Sequence, residues 1–181
     1  MTRSRFDLAL WGGLLLICAA LVVVTLRSER SATAAGGAQA LDRALERSRK
    51  FQARVALIRE LYAPVEALRQ SGQLQGALLK LAELETSYPG EAHGRILQGE
   101  IQAQLGALDE AVASFAAGVR LNGDYIERDN PLSQRPAIQR LVASGLTEIE
   151  TRLAANPDNR TALQTRKELY YLQSRLAGGC E

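Results

Sequence analysis

The stretch that decides the fold is GQLQGALLKLAELETSYPG, residues 72–90, read against GALDEAVASFAAGVRLNGD, residues 106–124. The two align at an offset of 34 residues. Gly72 falls on Gly106, Leu74 on Leu108, Ala77 on Ala111 and Leu81 on Phe115, and Tyr88-Pro89 falls on Asn122-Gly123. Each pairing has a physical reading. The glycines end a first helix in a sharp turn. The alanines sit where two helices approach most closely. Leu81 and Phe115 lie one turn further along the same face. Pro89 or Gly123 then ends the second helix. A repeat of this length is one helix–turn–helix unit that needs a neighbour to bury its apolar face.

On these residues the chain resembles the tetratricopeptide repeat family. The segment QLGALDEAVASFAAGVRLNGD carries the turn glycine Gly106, the small residue Ala111, the aromatic Phe115 and the small Gly118, and Gly99 matches the family's small position in a first helix. The likeness covers residues 58–124 as two repeats. A further 34 residues leads to Gly145, Ile149 and Pro157, which suit the second helix of a degenerate third repeat at 125–157. Its first helix is missing, because Tyr125 to Pro136 holds Pro131 and Pro136 in a polar filling that reads as irregular connection. Departures are Val65 in the place that Gly99 fills, and Leu97, Ile101 and Leu105 shifted by about two residues from Leu61, Val65 and Leu68.

Outward from the repeat, residues 158–181 are read as a capping helix and tail, starting after Asn156-Pro157 with Leu163, Leu169, Tyr170, Leu172 and Leu176 on one face. On the other side, residues 41–57 form an amphipathic stalk helix. Phe51, Val55, Ile58, Tyr62 and Val65 follow one another at steps of 4, 3, 4 and 3, a single helical seam. The seam either zips to a second copy, giving a homodimer through the stalk, or folds onto its own domain. Pro64 is expected to kink or restart the helix.

Residues 27–40 contain SATAAGGAQA and are read as a flexible linker. Before them, residues 8–26, LALWGGLLLICAALVVVTL, carry no charge. As a helix this run spans roughly 28 Å, the hydrocarbon thickness of a bilayer. A tail at 1–7 with Arg3 and Arg5 precedes it. The run is longer than a signal-peptide core, so an uncleaved transmembrane helix is the preferred reading, with cleavage near Ala32-Thr33-Ala34 as the alternative. Basic residues flank the run on both sides, and the short tail with Arg3 and Arg5 favours an N-terminus inside; the expected location is a bacterial inner membrane with the soluble part in the periplasm. The expected fold class is therefore all-α: a transmembrane helix, a short tetratricopeptide-like helical-hairpin stack and a C-terminal capping helix.

Composition narrows function mainly by exclusion. The chain has 22 basic and 20 acidic residues, interspersed, so no basic stripe suits nucleic acid. His93 is the only histidine and has no second ligand at useful spacing, so no metal is expected. No nucleophile motif or phosphate-cradling loop occurs, so neither an enzyme nor a cofactor is expected. The two cysteines, Cys18 and Cys180, are too far apart in context to staple one chain, and Cys180 is a candidate intermolecular thiol.

The family resemblance implies a concave groove lined by first helices that binds a protein or peptide partner. Carried onto this sequence, the groove positions are Arg59, Tyr62, Glu66 and Arg69 in the first repeat and His93, Ile96, Glu100 and Gln104 in the second. The implied role is a membrane-anchored interaction scaffold, an assembly factor or chaperone for bacterial envelope proteins. The alternative is a permanent structural subunit of a larger inner-membrane complex.

Overall fold

The computed structural model describes residues 45–178. The expected transmembrane helix, linker, Cys18 and Cys180 lie outside the described residues. Among the described residues no helix is long and apolar enough to cross a membrane. The chain divides between Ala53 and Arg54 into two units. Of the first, residues 45–53 are helical and exposed except for half-buried Phe51, with Lys50 paired to Glu46 at 2.7 Å.

The second unit is built from six helices and no described strand. Helix α1 covers residues 54–70, α2 Leu74–Ser87, α3 Ala92–Gln104, α4 Leu108–Leu121, α5 Arg135–Ala155 and α6 Arg160–Leu176. The helical run is unbroken from residue 45 to residue 70. Pro64 does not restart it: the residue is exposed, and its ring needs no room in the core. From Val55 onward the seam is consumed internally, with Val55, Ile58, Tyr62 and Val65 all buried. Those residues are therefore not free to zip to a second copy.

The 34-residue offset is written into the backbone. After α1, Gly72 N–H bonds to Arg69 C=O at 3.1 Å and Gln73 N–H to Leu68 C=O at 2.9 Å. After α3, Gly106 N–H bonds to Ala103 C=O at 3.1 Å and Ala107 N–H to Gln102 C=O at 2.9 Å. Both glycines take φ of +76°, the left-handed conformation that lets such a turn satisfy the last carbonyls of a helix. Ala77 and Ala111 are fully buried, as their spacing predicts.

The central pair, α3 and α4, interlocks in both directions. A β-carbon on Gly99 would meet the Phe115 ring at 2.8 Å, and one on Gly118 would meet Ile96 Cδ1 at 2.7 Å. Each helix thus offers a gap that the other fills with a large side chain, giving the interior density expected of a core. Ile96, expected in the groove, is the knob of this contact and is wholly buried. Tyr62 is likewise a core residue, 2% exposed.

The last two helices depart from expectation. Helix α5 was expected as the second helix of a unit, running as α2 and α4 do. Its N-terminal Arg135 bonds to Ile126 C=O, just beyond the end of α4, at 2.9 Å. Its C-terminal Arg152 grips Asp109 at the start of α4, at 2.8 and 3.2 Å. So α5 runs antiparallel to α4, as a first helix does. Helix α6 then returns: Thr165 bonds to Asp109 at 2.6 Å, and Arg175 near the other end lies beside Gly123 after α4. The order is three consecutive hairpins, α1–α2, α3–α4 and α5–α6. Gly145 is accordingly a counterpart of Gly99, facing Leu169 of its own partner helix, and not of Ala77 and Ala111.

Helix α6 begins after Asn159, whose Oδ1 accepts from Ala162 N–H at 3.1 Å, with Pro157 left in the preceding turn. Its buried face is Ala162, Thr165, Leu169 and Leu172. Leu163 and Tyr170, expected on that face, are exposed. The spacing 3, 4, 3 picks the true stripe, and each of those two residues sits one position beyond it.

A candidate polypeptide cleft

Between α4 and α5 the chain takes a 3-10 turn, Gly123–Ile126, and then the connection 127–134. The expected irregular connection is thus present, but it is anchored. Tyr125 and Ile126 are buried, Leu132 packs inward, and Gln134 N–H bonds to Tyr125 C=O at 2.7 Å. Asn130 Oδ1 accepts from Leu132 N–H at 2.9 Å, an Asx turn that shapes the approach to α5.

This anchored connection closes one side of a cleft whose other wall is α1 and α3. One cavity, of about 430 Å³, is lined by Arg59, Tyr62, Glu66, Gln70, His93 and Leu132, among others. A second, of about 510 Å³, is lined by Arg69, Glu100, Gln104, Arg140, Ser144 and Phe115, among others. Gln134 lines both, so the two cavities adjoin at this residue. Of the eight residues expected in a groove, seven line it: Arg59, Tyr62, Glu66 and His93 in the first part, Arg69, Glu100 and Gln104 in the second. Ile96 is excluded because it fills the α3–α4 core.

A charged triad joins the linings of the two cavities. Arg69 donates to Glu66 Oε2 from Nε at 3.0 Å and from Nη2 at 2.6 Å, and its Nη1 lies 3.4 Å from Glu100 Oε2. Burial pushes the Glu100 carboxyl above its usual range; Arg69 opposes this and Glu66 adds to it. Two carboxylates on one guanidinium leave this centre formally one unit negative. Arg59 and Arg140 line the cleft on either side of it and make no ion pair among the described residues.

His93 is 8% exposed and sits between two tyrosines. Its ring meets Tyr62 edge-on at 4.9 Å and lies 5.7 Å from Tyr125, and its Nδ1 is 3.0 Å from Tyr125 Oη. Burial lowers its pKa to about 4, with Glu66 acting upward and Arg59 downward. The imidazole is therefore neutral at pH 7. Burial beside Glu91 pushes the Tyr62 phenol up to about 12 and the Tyr125 phenol higher still, so both keep their protons.

Tyr125, Gln134 and Arg140 went unnoticed in the sequence. A lone tyrosine inside an otherwise polar, proline-bearing connection was the available signal for Tyr125: an aromatic ring there has burial to gain. Arg140 was hidden by the assignment of α5 to the wrong place in its hairpin. Among the described residues no group of three histidine, cysteine, aspartate or glutamate side chains gathers as metal ligands. No protein-family model, curated protein or solved structure matches the chain.

Proposed function

We propose that the chain is a membrane-anchored scaffold of tetratricopeptide type that holds an extended, polar stretch of a partner polypeptide in this cleft, as an assembly factor for bacterial envelope proteins. The observation that carries the reading is a pair of cavities, adjoining at Gln134, that are lined by α1, α3 and α5, the first helices of three hairpins. From Arg59 to Arg69 the α1 wall runs roughly 15 Å, room for four or five residues of extended chain. Mixed charge along this wall suits a polar segment better than an apolar one.

Photocrosslinkers placed at Gln70 and Gln104, in the full chain in membranes, test the reading. Varied polypeptides captured substoichiometrically support an assembly factor. Charge reversal at Arg59 and Arg140 should weaken their capture without unfolding the domain. Arg69 is unsuitable for that purpose, because Arg69→Glu would gather three carboxylates. The second reading is a permanent subunit, in which the exposed Leu57 and Leu79 would be covered by the partner. One fixed stoichiometric partner, unaffected by Arg59 and Arg140, would establish it instead.

A further inference from the structure

The tautomer of His93 follows from its surroundings. The Tyr125 side chain is fully buried, and its hydroxyl has one partner among the described residues, His93 Nδ1. If Nδ1 carried the hydrogen, it would donate to the phenolic oxygen and leave the Tyr125 O–H buried without an acceptor, a costly arrangement. The satisfied alternative has Tyr125 O–H donating to Nδ1. The ring hydrogen then resides on Nε2. No acceptor among the described residues takes it, and His93 lines the cavity that Arg59 and Glu66 also line. The cleft therefore has a neutral N–H donor set in a side chain more than nine-tenths buried.

Glu66 supplies the matching acceptor. Both bonds from Arg69 fall on Oε2, leaving Oε1 unengaged on the same cavity wall. A donor and an acceptor lining one cavity fit a group that accepts and donates at once. A carboxylate ligand meets repulsion from Glu66; an ammonium or guanidinium meets Arg59 and finds no use for Nε2–H. A carboxamide satisfies both.

We propose that His93 and Glu66 form a subsite for a carboxamide, the side chain of Asn or Gln in the bound polypeptide: its C=O accepts from His93 Nε2–H and its NH2 donates to Glu66 Oε1. Tyr125 is the positioning residue that fixes the tautomer. The proposal rests on the reading of the cleft as a polypeptide groove, and names what that groove selects.

Two measurements on the full chain in detergent test it. Nitrogen-15 chemical shifts of the single imidazole report which ring nitrogen bears hydrogen. Nε2–H at pH 7 is expected, with mixed tautomers in Tyr125→Phe; Nδ1–H in the unsubstituted chain overturns the donor assignment. Fluorescence anisotropy is then followed with four labelled heptapeptides, Ser-Ala-Ser-X-Ser-Ala-Ser, in which X is Gln, Glu, Lys or Leu. The Gln peptide should bind about tenfold more tightly than the others. His93→Phe should cut that preference about tenfold. Glu66→Leu, which leaves the aromatic cluster untouched, should abolish it as well. Equal binding of all four peptides overturns the subsite while leaving the groove standing. Binding of none, with Nε2–H confirmed, overturns both the subsite and the groove on which it rests.

Discussion

His93 has no neighbour in sequence that explains it. Its partner Tyr125 is 32 residues away and its other ring contact, Tyr62, lies on a different helix. Burial holds it neutral in the folded chain at pH values where an unfolded histidine is already taking up a proton. The folded pKa, about 4, lies below the unfolded value near 6.5, so the stability tied to His93 is complete above pH 6.5. It is lost as the pH falls from there towards 4. Denaturant titrations should show a loss of about 2 kcal/mol between pH 7.5 and pH 5. That slope should largely vanish in His93→Phe. Asp109 adds to acid lability below the carboxylate range, because hydrogen bonds from Arg152 and Thr165 outweigh its burial and hold its pKa down. Glu100 acts in the opposite sense, since its raised pKa makes protonation favour the fold.

Helix pairing rests on a few positions of two physical kinds. Gly99 and Gly118 are sites of close approach, where any added carbon must displace a ring or a branched side chain. Gly99→Ala should cost about 1–3 kcal/mol by overpacking. Phe115→Leu in the same chain should recover part of it, as a thermal melt of the double variant would show. Gly106 is different: no atom lies within 4 Å of its missing β-carbon, yet its φ of +76° is strained for any other residue. Gly106→Ala should cost about 1 kcal/mol, and no compensating core substitution should relieve it. The turn glycines and the buried alanines were legible from the 34-residue offset because each is demanded by local geometry. The direction of α5 was not. Gly145 falls at the offset expected of a second helix, but a small residue marks any close helix crossing, and only the anchored connection 122–134 fixes which way the helix runs. Ile96 was misplaced for a related reason: adjacent positions on one helix separate a cleft wall from a core, and an uncertain rotation of a helix about its axis moves a residue from one to the other.

Across the whole unit, burial is uneven. Helix α4 buries seven residues and α2 only two. Amide hydrogen exchange should therefore be slowest in α3 and α4 and markedly faster in α2, since local opening follows the apolar contacts that must be broken. Asp109 joins three helices, bonding to Arg152 of α5 and Thr165 of α6 from the start of α4. Asp109→Ala should cost about 1–2 kcal/mol, with the lost protection concentrated in α5 and α6 and not in α1. Arg120, paired with Glu168 and set over the Tyr171 ring at 4.4 Å, is a second tie between α4 and α6.

Arg135 carries a consequence of a different order. One guanidinium group bonds to Ile126 C=O in the connection beside the cleft and, at 2.5 Å, to Leu176 C=O in the final turn of α6. The connection beside the cleft is thus tied to the end of α6, the last of the six helices to leave the ribosome. During synthesis the first two hairpins emerge well before that tie exists. The receptive surface is then finished only once α6 has emerged, and a nascent chain short of that point presents its partner with an open-sided cleft.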